Sequence, residues 1–294
     1  MRFAGIIPAV TTPFDAAGEI DRAALDANLA ALLDAGVHGI VATGTMGEAG
    51  SLSTAERRLV VEAAVAAASG RVPVIAGVSS GTPTAAIALA TDAAEVGAAA
   101  IMLLPPLGYR ADPTEVEGYY RAVADAAGLP VMAYNNPEAS GVDLPVALLA
   151  RLWEEVDGVV AVKECSGDAR RIPALLHAAP GLEVLVGGDD WALEGFCAGA
   201  TGWVSGVADV APAECIALWE ACRAAELDRA RELYARLLPL GRFDMTPKLV
   251  QYFKAAMDER GLAGGDCRPP RMPLTEGERA ELRAALRVLE GVPA

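Results

Sequence analysis

The chain has 294 residues and a formal net charge of −15 with a pI near 4.6, a balance that argues against a nucleic-acid or anionic-membrane partner, since both demand a basic face. Alanine supplies much of its 53% hydrophobic content, and Gly, Asp or Glu breaks each apolar window well before the ~18 residues of a membrane span. The length leaves room for one large domain or two small ones, with a sizeable core in either case.

Eight short runs rich in Val and Ile read as strands: AGIIPAVTTP (4–13), GIVATGT (39–45), VPVIAGV (72–78), AAIMLLP (99–105), LPVMAYN (129–135), VVAVKEC (159–165), LEVLVGG (182–188) and GWVSGV (202–207). Their nearly continuous hydrophobicity predicts burial on both faces, as in a parallel sheet. Helix-start chemistry lies between them. Ser53 with Glu56 forms a capping box, Asp112 with Pro113 and Glu115 opens a second helix, and DAGVHG, EVGA, AAGLP and CAGATG supply closing glycines. Eight strand-helix units over residues 1–210 predict an α/β fold, a (β/α)8 TIM barrel as catalytic domain. A doubly wound open sheet is the alternative, disfavoured because no GxGxxG follows the first strand. Residues 211–294 read as helix only, with a Thr275/Glu278 capping box, and predict a C-terminal helical region packed on the barrel.

Five cysteines without a CxxC pair, Cys165, Cys197, Cys215, Cys222 and Cys267, suit reduced thiols. MRFAGIIPAVTTPF shows neither a charged n-region nor a cleavage site, so the expected location is cytoplasmic. His38 and His177 are too few and too scattered for a histidine-based metal site and read as structural. No metal is expected.

In such a barrel the active site lies at the C-terminal ends of the strands. Lys163 sits there, at the end of VVAVK. Burial favours the neutral amine, the form that attacks a carbonyl to make an imine; the alternative is a structural pair with a carboxylate at a strand tip. Tyr134 ends the preceding strand, close enough to move protons to and from the carbinolamine, or else packs in the core. The GTMGE turn, Gly44 to Glu48, offers backbone N–H groups and the Thr45 hydroxyl to a carboxylate, or is a plain tight turn. Asn135 and Asn136 are placed to hydrogen-bond substrate hydroxyls or to serve the turn before Pro137.

The constellation of GIIPAVTTPFD, GTMGE, YNNP, VKE, GGDD and the helical tail resembles the dihydrodipicolinate synthase and N-acetylneuraminate lyase superfamily of class I aldolases, over the whole chain. The resemblance implies a Schiff-base-forming lyase of aldolase, dehydratase or deaminase type. Its substrate would be a pyruvate-like 2-oxo acid or its cyclic imine. Lys163 would be the imine-forming residue, Tyr134 the general acid/base, and Thr45 with the Met46 amide the carboxylate holder. Gly44, Gly47, Asn136, Gly206 and Val207 are the further substrate-binding candidates. It implies no organic cofactor beyond the covalent imine, and a homotetramer built as a dimer of dimers.

Two departures narrow the expectation. The arginine that follows the family's YNxP motif is replaced by Ala139 beside Glu138, so synthase activity proper is not expected. Met46 replaces a hydroxyl used in the family's proton relay. YNNP with GATGWVSGV and PKLVQYFKAAM is similar to the branch holding pyrroline-4-hydroxy-2-carboxylate deaminases and keto-deoxy sugar acid dehydratases. Tyr109 is a candidate for reaching across a subunit interface, and Arg110 and Arg170 are candidates for positive charge at the mouth. The competing reading, motivated by Met46 and Ala139, is a catalytically silent barrel that binds a 2-oxo or amino acid as a sensor or partner module.

Overall fold

The computed structural model describes residues 2–291. Strand and helix alternate along the chain: β1 (Gly5–Pro8), α1 (Arg22–Asp34), β2 (Ile40–Ala42), α2 (Thr54–Ala68), β3 (Val74–Gly77), α3 (Pro83–Glu95), β4 (Ala100–Leu103) and α4 (Pro113–Ala127). The second half continues with β5 (Val131–Asn135), the short α5 (Pro137–Ser140), α6 (Val146–Glu155), β6 (Val159–Glu164), α7 (Arg171–Ala178), β7 (Glu183–Val186), α8 (Ala192–Cys197) and β8 (Gly202–Ser205). The eight strands form one sheet in the order β1-β8-β7-β6-β5-β4-β3-β2, every pair parallel. At the β1–β2 seam a bridge between Ala9 and Val41 brings the edges together, with the Val10 N–H donating to the Val41 carbonyl at 2.9 Å. The result is the nearly closed (β/α)8 barrel that the repeat count predicts.

The strands are shorter than the apolar runs that announce them, because the ends of those runs leave the ladder to build the rim. In the first run only Gly5–Pro8 is strand, and at the rim the Thr11 N–H donates to Asp209 Oδ2 at 3.2 Å. The predicted capping boxes are formed at Ser53/Glu56, Asp112/Glu115 and Thr275/Glu278, each cap contributing about 1 kcal/mol.

After β8 come α9 (Pro212–Arg223), which packs on β1 and beside α8, and then α10 (Leu227–Gly241), α11 (Leu249–Glu259) and α12 (Glu276–Leu289). One buried contact fastens this region to the barrel mouth. Lys254 on α11, 1% exposed, donates to Glu48 Oε1 at 3.0 Å, the Thr12 carbonyl at 2.9 Å and the Asp266 carbonyl at 2.7 Å. Glu48 ends the turn after β2, so the tail and that turn hold each other. No helix among the described residues is long and apolar enough to cross a membrane.

Candidate active site

The β5–β6 ladder pairs Tyr134 with Lys163. Both side chains reach one cavity of about 370 Å³ at the C-terminal ends of the strands, together with Gly44, Thr45, Met46, Asn136 and Gly206. Lys163 is 6% exposed, and its Nζ lies 4.4 Å from the centroid of the Tyr134 ring. The turn Gly44–Met46 forms the next wall. Neither the Thr45 nor the Met46 N–H donates to a backbone acceptor among the described residues, and the Thr45 side chain is exposed to the mouth. Two free amides and a hydroxyl are a ready cradle for a small anion.

Of the nine residues to which the family resemblance gives a catalytic or substrate-binding role, seven therefore line one cavity, and Gly47 and Val207 do not. Gly47 is turned into the wall, its carbonyl accepting the Thr12 hydroxyl at 2.8 Å. Val207 is fully buried, and its N–H donates to Asp189 Oδ2 at 2.8 Å. Asn136 resolves the two roles left open for it: its Oδ1 caps α5 by accepting the Ala139 N–H at 3.0 Å, and its Nδ2 donates to the Tyr134 hydroxyl at 3.0 Å. Asn135 is fully buried and committed elsewhere, donating to Glu164 at 3.0 Å and accepting the Leu144 N–H at 2.9 Å. Glu164 in turn accepts the Ser166 N–H at 2.6 Å and faces Arg171 at 3.3 Å. The two suggested arginines also fall outside the cavity. Arg170 pairs with Asp168 at 2.7 Å with its side chain 90% exposed, and Arg110 is exposed. Tyr109, 49% exposed, stands clear of the cavity as well.

The charge state of Lys163 corrects the expectation of a lysine stored neutral. Burial pulls the ammonium pKa down, but Tyr134, Cys165, Asp244 and Asp189 pull it up, and the net direction is upward. Burial pushes the Tyr134 phenol up to about 12, against the opposing pull of Lys163 and of the Asn136 hydrogen bond. The Cys165 thiol is likewise pushed up to about 12 by burial. Both are thus protonated at neutral pH, and the aspartates are what favour the ammonium there.

Those aspartates, and Cys165, are the residues that sequence reasoning missed. Asp189 is 1% exposed and accepts three N–H bonds, from Trp203 Nε1 at 2.9 Å, Gly206 at 3.1 Å and Val207 at 2.8 Å. Asp244 lies in the turn Arg242–Met245 between α10 and α11, lines the cavity, and accepts the Asp189 N–H at 3.2 Å. Burial raises the pKa of both carboxyls, and their mutual repulsion raises that of Asp189 further. GGDD was visible in the sequence as a strand tip; nothing in DMTP announced that a distant turn would fold over the same mouth.

A buried amine beside a protonated phenol and an anion cradle can form an imine with a small 2-oxo acid and move the protons this requires. Comparisons with known proteins give the family of the chain. Residues 2–289 match the family described as "Dihydrodipicolinate synthetase family". A 4-hydroxy-tetrahydrodipicolinate synthase of Methanopyrus kandleri is 38% identical, over 98% of this chain and 97% of its own. The crystal structure of dihydrodipicolinate synthase DapA-2 from Bacillus anthracis superposes with a TM-score of 0.94 at 33% identity, covering 100% of both chains. YagE, a prophage protein of the dihydrodipicolinic acid synthase family from E. coli K12 solved in complex with pyruvate, gives a TM-score of 0.93 at 29% identity, covering 99% of each chain.

Proposed function

The chain belongs to the dihydrodipicolinate synthetase family, and from that premise we propose that it is a lyase of class I aldolase type working through an imine between Lys163 and a pyruvate-like 2-oxo acid. The observation that carries this reading is the placement of Lys163 Nζ 4.4 Å from the Tyr134 ring on paired strands, in the cavity that Gly44, Thr45 and Met46 also line. The substrate carboxylate takes the Thr45 hydroxyl and the free amides of the turn. Its C2 carbonyl then faces Lys163. Once the ammonium gives up a proton, the amine adds to C2 and the carbinolamine loses water. Tyr134 supplies the proton to the departing hydroxyl and recovers one afterwards. The cationic imine withdraws electrons from C3, so that a C3–H or C3–C4 bond breaks to give an enamine. No further cofactor enters these steps.

The names carried by relatives such as the Methanopyrus protein favour a synthase that adds a second substrate to the enamine. Against this stand Ala139 and Glu138, which line the cavity where the family's arginine would grip that substrate's carboxylate. We therefore favour an aldolase, dehydratase or deaminase. Five free thiols fit a reducing, cytoplasmic setting. The assembly we favour is a homotetramer, with Tyr109 a candidate for reaching across an interface, and light scattering of wild type tests it.

The direct test of the enamine is exchange of the methyl hydrogens of pyruvate in D2O, followed by proton NMR. Wild type exchanges them and Lys163→Ala does not. Exchange that persists in Lys163→Ala, or is absent from wild type, contradicts the proposal.

A further inference from the structure

We propose that Asp244 selects the far end of the substrate, admitting a 2-oxo acid that carries a hydroxyl or amino donor beyond C3 and disfavouring one that ends in a second carboxylate. This rests on the lysine-imine reading. It concerns cavity-lining residues to which the imine chemistry gives no covalent or proton-transfer role.

The cavity lining includes Asn136, Glu138 and Ala139 from the segment after β5, and Asp244, Met245 and Thr246 from the turn before α11. Two of its side-chain donors are already engaged. Asn136 gives its Nδ2 to the Tyr134 hydroxyl at 3.0 Å. Thr246 gives its hydroxyl to the Phe243 carbonyl at 2.8 Å. Acceptor capacity is in surplus beside the one remaining Asn136 N–H: Asp244 spends Oδ2 on the Asp189 N–H, and neither its Oδ1 nor the Glu138 carboxyl makes a hydrogen bond among the described residues. A carboxyl in either protonation state accepts from a hydroxyl or an ammonium group.

Cations are missing from the same wall. Lys163 is the cavity's one cationic side chain among the described residues, and its nitrogen is consumed by the imine. Arg171 is 15% exposed but is held by Asp143 at 2.8 Å and by Glu164. Arg170 points to Asp168. A second substrate carboxylate would meet two acids and no guanidinium, which is a device for refusing it.

Asp244 is also held in place, as a selecting residue must be. Its turn packs so closely on the Asp189 segment that a Cβ at Gly241 would stand 2.7 Å from the Asp189 carbonyl oxygen. The neighbouring Phe243 ring stacks on Tyr252 with centroids 4.0 Å apart.

The test compares 5-hydroxy-2-oxopentanoate with 2-oxoglutarate, equal in length and different only in the far group. The readout is the concentration giving half-maximal borohydride trapping on Lys163, which needs no turnover. Wild type traps the hydroxy acid at about a 10-fold lower concentration, the worth of one net hydrogen bond. Asp244→Ala removes most of that ratio, and Asp244→Ala combined with Ala139→Arg inverts it. Because any change in the Lys163 amine acts on both acids alike, the ratio reports selection at the far end. Pyruvate trapping by each variant verifies that the fold and the imine survive. A wild type that prefers 2-oxoglutarate, or a ratio unchanged in Asp244→Ala, overturns the proposal while leaving the imine reading intact; failure of wild type to trap pyruvate overturns both.

Discussion

Replacing Lys254 by Met tests how the helical tail supports the barrel mouth. Methionine keeps the apolar stem of the side chain, so packing changes little, but three acceptors lose their donor: Glu48 Oε1, the Thr12 carbonyl and the Asp266 carbonyl. The lysine is 1% exposed and Glu48 is fully buried, the geometry in which removing one partner costs about 3–5 kcal/mol. Glu48 keeps the Arg268 N–H at 3.2 Å and Arg271 at 3.5 Å. The lower end of that range, about 3 kcal/mol, is therefore expected. At about 2 °C per kcal/mol for a large chain, the Tm falls by about 6 °C. Urea unfolding gives the free energy and a thermal scan the Tm. Because Glu48 ends the Gly44–Glu48 turn, the half-saturating pyruvate concentration for trapping also rises. Adding Glu48→Gln to Lys254→Met removes the orphaned charge and recovers part of the loss. A single-variant loss under about 1 kcal/mol, or a double variant whose loss is simply additive, refutes the reasoning.

Three further outcomes follow from the site and its surroundings. Since the net pull on Lys163 is upward, its amine is mostly protonated at neutral pH. The rate of imine formation measured by stopped flow should climb with pH without a plateau below the ordinary lysine value of about 10.4; a plateau near neutrality contradicts the charge assignment. In Gly187→Ala the new Cβ would lie 2.0 Å from Cys165 Sγ and 2.9 Å from Lys163 Cγ, so trapping slows sharply and Cys165→Ala restores part of it; wild-type rates in the single variant would show that the wall yields. Glu56, hydrogen-bonded to Arg268, has its carboxyl held down at about 2. Its folded pKa lies below its unfolded one, so it stabilises the fold above about pH 4.5, and that contribution is lost as pH falls toward 2. Glu56→Gln should flatten acid unfolding in that window by about 1 kcal/mol, given its partial exposure, and identical acid titrations would count against the pair.

The barrel was legible because parallel strands buried on both faces write themselves as unbroken Val/Ile runs, and because Ser53, Asp112 and Thr275 mark helix starts chemically. Lys163 was legible for the opposite reason, as a charge at the end of such a run. What the sequence leaves undetermined is orientation. Asn135 and Asn136 are neighbours of one chemistry, yet one is locked behind the strand by Glu164 and the other reaches the Tyr134 hydroxyl, because successive strand residues face opposite ways. Gly47 and Val207 lie in turns beyond the strand ends, where no strand alternation tells from the sequence which way a residue faces. The charge on Lys163 was hidden because burial is readable from a pattern, whereas the carboxyls that oppose it arrive from the turn after β7 and from the turn before α11, away from Lys163 in the chain.

The central claim is that the Lys163 amine forms a covalent imine with a 2-oxo acid. Incubation with pyruvate and borohydride, followed by intact mass and peptide mapping, tests it most directly. A single reduced adduct is expected on the peptide that carries Lys163, absent from Lys163→Ala and slowed in Tyr134→Phe. No adduct on wild type, or an adduct mapped to another lysine, would contradict the account.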